Sequence, residues 1–284
     1  MNEVDSIFSS FSSWRGHREG LPKSTAVFFV PTMGAPHQGH GSLIKSAREM
    51  APEGAEVVVS VFVNPTQFND TADFEAYPST VDSDVDLAFS AGASSLVFPQ
   101  AHELYPKGVP DEAEPTDYGT LTRLWEGEHR PGHFDGVVAV VRSLFHQVGP
   151  DWAFFGEKDW QQLAVIRRLA EDEFPKLRIQ PVKTVREKDG LAMSSRNVRL
   201  PFAKREGAFK LYESLVKLAG LGQTNVELEC SRKQLEGLGF DVEYLAFVDE
   251  LTMCEADQGG AGKRVIVAAN FAGVRLIDNV PSEG

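Results

Sequence analysis

Five strand-like segments, apolar almost throughout, set the strongest limit on what this chain can fold into. They are AVFFV (26–30), AEVVVSVFV (55–63), SSLVF (94–98), DWAFF (151–155) and LRIQPV (177–182). A strand with one face in water alternates apolar and polar residues; a run without alternation is buried on both faces. Helical patterns lie between them: GSLIKSAREM, DSDVDLAFSAG, HFDGVVAVVRSLFHQVG and DWQQLAVIRRLAEDEF. Strands that alternate with helices and are covered on both faces make a doubly wound parallel sheet, an α/β architecture.

The pattern changes near residue 184. Two helical stretches, PFAKREGAFKLYESLVKLAG and QTNVELECSRKQLEGLG, precede three extended ones, FDVEYLAFVDE, KRVIVAANF and VRLIDN. Helices followed by strands predict a smaller α+β unit, so the expected domains are 1–183 and 184–284. The glycine-rich DQGGAG (257–262) is expected to be a hairpin loop, because no helix follows it to hold a phosphate.

A formal charge of −13 and a pI near 5.0 argue against a nucleic-acid surface, which needs a basic patch. The two cysteines, Cys230 and Cys254, fit neither a zinc spacing nor a disulfide framework, which suits a reducing compartment. The first twenty residues hold no apolar run of signal-peptide length, and no stretch approaches the ~18–20 apolar residues of a membrane span. A cytoplasmic protein is the expectation.

In an open α/β sheet, ligands bind where the loops leave the carboxyl ends of the strands. The unusual segments fall there: PTMGAPHQGH after the first strand, NPTQF after the second, GEKDWQQ after the fourth and DGLAMSSRN after the last. His37 and His40, at a helix start, would stand beside free N–H groups and the positive dipole end, where a polyphosphate is held. Gly34 and Gly39 would let a nucleotide approach the backbone. The pair also reads as ordinary loop histidines, or as half of a zinc site for which no third ligand appears.

Lys158, with Glu157 or Asp159 to hold it, could neutralise a transferring phosphate; the same tetrapeptide also reads as a helix cap with Asp159 as the capping residue. Ser194, Ser195 and Arg196 suit phosphate oxygens. Asn64, Gln67 and Gln162 offer amides that orient hydroxyl and carboxylate groups. The acidic run Asp82–Asp86 either holds Mg²⁺ with substrate phosphates or is a solvated helix start. Arg130 and His133 bring positive charge to another helix start.

With these loops assembled, the sequence resembles the pantoate–β-alanine ligase family of the His-x-Gly-His nucleotidylyltransferase-like group. The resemblance spans nearly the whole chain and is carried by FVPTMGAPHQGH, VVVSVFVNPTQF, YPSTVDSDVD, EGEHRPGHFDGV, AFFGEKDWQQLAVIRR, VREKDGLAMSSRN and VRLIDN. It implies a Rossmann-like domain with a smaller C-terminal domain, a homodimer through the N-terminal domain, and ATP, (R)-pantoate and β-alanine as substrates with Mg²⁺. The products implied are pantothenate, AMP and pyrophosphate, through a pantoyl adenylate.

By matching motif, the resemblance places Met33, Gly34, His37, Gly39 and His40 on ATP, with His40 as proton donor. Gly156, Glu157, Lys158 and Asp159 would contact the nucleotide, Val185 its adenine side, and Met193, Ser194, Ser195 and Arg196 its phosphates. Catalysis would fall to His40, His37, Lys158 and Arg196. Gln67, Gln162 and Asn64 would bind pantoate or β-alanine, and Asp84 would face the metal. Pro36 and Gly41 depart from the family pattern, which has leucines there. Two other readings stay open: a nucleotidylyltransferase with a dinucleotide-like product, which leaves NPTQF and Gln162 unexplained, and a nucleotide-binding module without catalysis, which Pro36 and Gly41 would permit.

Overall fold

The structure, a computed structural model of the 284-residue chain, describes residues 6–35, 37–68, 74–75, 81–110, 113–220 and 224–283. Pro36 lies outside the described residues. The chain divides into two compact units. The first comprises Met1–Asp117, Arg130–Glu157 and Val165–Val182; the second comprises Tyr118–His129, Lys158–Ala164 and Lys183–Gly284.

The first unit is built on six parallel strands: β1 (Ile7–Phe8), β2 (Val27–Thr32), β3 (Glu56–Val61), β4 (Ser95–Val97), β5 (Trp152–Gly156) and β6 (Arg178–Val182). Their order is β1-β4-β3-β2-β5-β6. The five expected strands are present, and the sheet is the parallel, Rossmann-like one the sequence implied. The longer helices described in this layer are α1 (Phe11–Gly20), α2 (Gln38–Met50), α3 (Val81–Ser90), α4 (His133–Val148) and α5 (Trp160–Glu173), the last shared between the units.

Burial on both faces explains the unbroken apolar runs. Phe28 and Val30 of β2 join Val57 and Val59 of β3, Ile44 and Ala47 of α2, and Ala88 of α3 in one cluster. The intervening Val27, Phe29 and Val58 are just as buried and point to the opposite face. There Phe155 of β5 meets Phe145 of α4 edge-on at 6.3 Å. Helix α4 ends at Gly149, whose φ of 59° is the left-handed cap that glycine adopts without a Cβ penalty.

The second unit carries an antiparallel sheet of β7 (Phe240–Asp249), β8 (Glu255–Ala256), β9 (Lys263–Phe271) and β10 (Val274–Pro281), in the order β10-β9-β7-β8. Its longer helices are α6 (Phe202–Ala208), α7 (Lys210–Ala219) and α8 (Asn225–Gly237). Leu211, Leu215 and Leu218 of α7 and Leu228 and Leu235 of α8 share a core with Phe247, Val265, Val267 and Leu276 of the sheet. The expected single helix over 201–220 is interrupted: Phe209 ends α6 and precedes α7.

Candidate active site

Strand β2 lies between β3 and β5. The chain leaves β2 for one neighbour and returns later to the other, so the ends of β2 and β5 flank a topological switch point, where α/β sheets bind ligands. After β2 the chain turns through Gly34 at φ +83° and Ala35 at φ +54°. The turn is tight: a Cβ on Gly34 would stand 3.2 Å from Val61 Cγ1 and 3.3 Å from Asp84 Oδ2.

The turn delivers His37 to the cap of α2. His37 Nδ1 accepts the N–H of Gly39 at 3.1 Å, and His40 Nδ1 accepts the N–H of His37 at 3.3 Å. This is a capping box made by two imidazoles instead of a hydroxyl and a carboxylate. Each Nδ1 accepts, so each neutral ring carries its proton on Nε2 and offers that N–H as a donor. The rings lie 4.2 Å apart between centroids. Gly41, one of the departures from the family pattern, is buried in α2, where a Cβ would touch Leu87 at an ordinary 3.4 Å.

After β3 comes a 3₁₀ turn, Pro65–Gln67, which holds the first of the expected amides. Asn64 is buried and donates from Nδ2 to Gln67 Oε1 at 3.1 Å and to the Gly136 carbonyl at 3.2 Å. Tyr105 and Thr66 donate to Asn64 Oδ1 at 2.6 and 3.1 Å. Gln67 Nε2 meets Met33 Sδ at 2.7 Å. Asn64 is therefore a brace that sets the Gln67 amide, with its own hydrogen-bonding groups engaged.

Arg130 and His133 serve the same residue. Arg130 Nη2 donates to the Gln67 carbonyl at 3.2 Å, and His133 Nδ1 meets that oxygen at 3.0 Å. His133 Nε2 accepts from Arg130 Nη1 at 3.1 Å, which puts the His133 proton on Nδ1, facing the carbonyl. The sequence reading gave these residues only a charge role. Gly136 lets α4 approach: a Cβ there would lie 2.3 Å from the Thr66 carbonyl oxygen.

In the acidic run, Asp82 and Asp86 are exposed at the start of α3, whereas Asp84 is buried. Burial raises the Asp84 carboxyl from 3.8 to about 6. Among the described residues no group of three or more His, Cys, Asp or Glu could hold a metal ion. Asp84 alone is not a protein cage. Gly156 closes β5, and Glu157 opens the 3₁₀ turn that follows.

In the second unit, Lys158 lies in that turn with Nζ 3.6 Å from Asp159 Oδ1, its side chain one-fifth exposed. Asp159 belongs to the 3₁₀ turn, and α5 begins at Trp160. The two glutamines that follow separate by burial. Gln161 is buried, donates to the carbonyls of Leu121 and Leu124 at 3.0 and 2.8 Å, and accepts the N–H of Glu126 at 3.1 Å. Gln162 is half-buried, and its amide makes no hydrogen bond among the described residues.

Residues 185–199 form a hairpin and a 3₁₀ turn. Met193 N–H donates to the Val185 carbonyl at 2.9 Å, Arg186 bridges Ala192, and Ser194 caps Ser195–Arg199 by accepting the N–H of Arg196 at 3.3 Å. Met193, Ser194, Ser195 and Arg196 are all half-buried. Buried Asn197 locks the turn by donating to the Ala192 carbonyl at 3.0 Å.

One polar cluster in this unit escaped the sequence reading. Arg275 of β10 donates to both oxygens of buried Glu126, at 2.6 and 3.0 Å, and also to Glu243 of β7. Tyr244 donates to Glu126 at 2.7 Å. Burial, then the Glu126 carboxylate, raises the Tyr244 hydroxyl well above an ordinary phenol.

The family model described as pantoate-beta-alanine ligase matches residues 3–281. Among relatives, a pantothenate synthetase of Bdellovibrio bacteriovorus is 43% identical over 280 residues, covering 99% of each chain. One of Paracoccus denitrificans is 45% identical over 263 residues, covering 91% of each. The crystal structure of a pantothenate synthetase from Thermus thermophilus superposes with a TM-score of 0.88 at 41% identity, covering 98% of this chain and 99% of that one. A pantoate-beta-alanine ligase from Francisella tularensis, complexed with beta-gamma ATP and beta-alanine, gives 0.82 at 33% identity, covering 97% of each chain.

Proposed function

This chain belongs to the pantoate-β-alanine ligase family and forms pantothenate from pantoate, β-alanine and ATP; on that premise we propose that it does so through a pantoyl adenylate, with AMP and pyrophosphate as products. A carboxylate is a poor acylating agent at neutral pH, and transfer to the α-phosphorus of ATP converts its oxygen into part of a good leaving group. In the first step a pantoate carboxylate oxygen bonds to the α-phosphorus and the bond to the bridging oxygen breaks, releasing pyrophosphate. In the second, the amine of β-alanine bonds to the acyl carbon, AMP departs with the former carboxylate oxygen, and the nitrogen loses a proton.

The observation that carries the reading is the histidine capping box, which fixes the tautomer of both rings. His40 and His37 present Nε2–H donors to phosphate oxygens, at a helix start that favours anions. Met33, Gly34 and Gly39 admit the nucleotide close to the main chain. Gly156, Glu157 and Asp159 line its path, and Val185 meets the adenine. Lys158, Ser194, Ser195 and Arg196 stabilise the charge that develops on the transferring and departing phosphates. Gln67, set by Asn64, binds pantoate and then β-alanine, and Gln162, whose amide makes no hydrogen bond among the described residues, also binds pantoate.

Mg²⁺ fits this donor set as an ion brought by the triphosphate, since a single buried carboxylate with phosphate oxygens and water is a usual Mg²⁺ shell. Asp84 would be its protein ligand, and the ion would neutralise phosphate charge. A homodimer through the N-terminal domain and a cytoplasmic location belong to the same proposal, on the support of the family resemblance. Among the described residues no helix is long and apolar enough to cross a membrane.

The test is pyrophosphate release from ATP and pantoate by His40→Ala and Lys158→Ala. Each loses adenylation by a factor of at least ~10² while unfolding like the parent, as expected for donors to a developing charge. Near-parental release by either variant removes that residue from the mechanism.

A further inference from the structure

The VRLIDN segment ends in a residue that the reaction scheme does not use. Asn279 of β10 is buried, with 5% of its surface exposed. Its Nδ2 donates to the main-chain carbonyl of Lys158 at 2.8 Å, and its Oδ1 accepts from Arg264 Nη1 at 2.6 Å. The Asn279 main-chain N–H donates to Asp278 Oδ1 at 2.7 Å. Asp278, in turn, receives both arms of Arg186, at 2.6 and 3.0 Å. The main chain of Asn279 is thus tied to the Asp278–Arg186 ion pair, and its side-chain amide spans the Arg264 guanidinium and the Lys158 carbonyl.

The same strands secure the next turn of chain. The Arg264 guanidinium lies 3.5 Å above the Trp160 ring, and Trp160 Nε1 donates to the Glu250 carbonyl at 3.1 Å. Arg264 also pairs with the Glu250 carboxylate at 3.2 Å. Residues 158 and 160 are therefore anchored through backbone and ring, while the ammonium of Lys158, 3.6 Å from Asp159 Oδ1, sits at the end of a four-carbon stem. Where that ammonium can reach is decided by where the main chain is fixed.

We propose that Asn279 is a positioning residue for Lys158, holding the 158 carbonyl so that the ammonium meets the phosphates of ATP in the adenylation step. It acts through Lys158 and touches no substrate itself. The inference rests on the reading of Lys158 given above. It separates Asn279 from a general brace of the sheet, because Lys158 is asked to act on phosphates only in the first step.

The test uses Asn279→Asp, which keeps the size of the side chain and its contact with Arg264. It replaces the N–H facing the Lys158 carbonyl with a carboxylate oxygen. Pyrophosphate release from ATP and pantoate is measured first, then the attack of β-alanine on adenylate accumulated beforehand. The expected result is a loss of about tenfold or more in the first rate, with the second within about twofold of the parent. Equal slowing of both steps, or no change in either, overturns the inference. Asn279→Ser, which drops both side-chain contacts without adding charge, is expected to give the same split and serves if the aspartate variant does not fold. Lys158→Ala run alongside separates the two claims. If it releases pyrophosphate at the parental rate, the reading of Lys158 fails. If it is inactive while Asn279→Asp matches the parent, the inference about Asn279 alone fails.

Discussion

Replacing Gly136 by alanine tests whether the closeness of α4 to the Gln67 turn matters for both stability and substrate binding. The added Cβ would stand 2.3 Å from the Thr66 carbonyl oxygen, 2.6 Å from its carbon and 2.9 Å from the Gln67 nitrogen. An unstrained carbon contact is ~3.5 Å, so helix and turn must part by roughly 1 Å. Neither can move alone, because Asn64 bonds both Gly136 and Gln67, and Arg130 and His133 grip the Gln67 carbonyl. Overpacking against backbone costs about 2–3 kcal/mol, and alanine in a helix returns about 1 kcal/mol relative to glycine. The net is a loss of about 1–2 kcal/mol. Gly16 of α1 provides the control: it is exposed, a Cβ added there would meet nothing within 4 Å, and Gly16→Ala should gain up to about 1 kcal/mol.

Urea unfolding followed by tryptophan fluorescence reads both variants, which should shift the midpoint in opposite directions. Steady-state kinetics add a second reading: a Gln67 displaced by roughly 1 Å lowers kcat/KM for pantoate by up to ~10², with a smaller change for ATP. If the two alanine variants move the midpoint the same way, or if pantoate kinetics are untouched in Gly136→Ala, the reasoning about this contact is wrong.

Tyr244→Phe addresses the buried ionic cluster. Because the folded pKa of Tyr244 is raised, its contribution is complete below ~10, the unfolded value, and is lost as pH rises towards the folded one. Parent stability relative to Phe should therefore fall by about 1.4 kcal/mol per pH unit above ~10, and a difference that stays flat from pH 9 to 11 would contradict the assignment. Asp84→Asn should raise the Mg²⁺ concentration needed for half-maximal turnover by about tenfold, as expected for loss of the carboxylate ligand proposed for the ion; an unchanged Mg²⁺ dependence would place the ion elsewhere.

The parallel sheet was legible because burial on both faces leaves a composition that no half-exposed strand has. Strands β1 and β8 were not, since two residues carry no pattern and exist only through their partners. The break at Phe209 follows Gly207 by two residues, but a single glycine inside a helical pattern is tolerated and does not mark an end by itself. At the site, the loops were readable as loops, but the division of labour within them was not. Gln161 and Gln162 are chemically identical neighbours, and only burial makes the first a tie to residues 121–126. A histidine capping box hides from a search for Ser, Thr, Asp or Asn at a helix start. The use of Arg130 and His133 on Gln67 joins residues more than sixty positions apart and is a property of the fold alone.

The proposed transfer of the pantoate carboxylate to the α-phosphate of ATP is the step on which the roles proposed for the phosphate-facing residues depend. Pantoate labelled with heavy oxygen in both carboxylate positions, turned over with ATP and β-alanine, tests this transfer by mass spectrometry of the products. One labelled oxygen in AMP and one retained in the pantothenate amide carbonyl is the predicted result. Unlabelled AMP, with the label in inorganic phosphate or kept whole in unreacted pantoate, would contradict it.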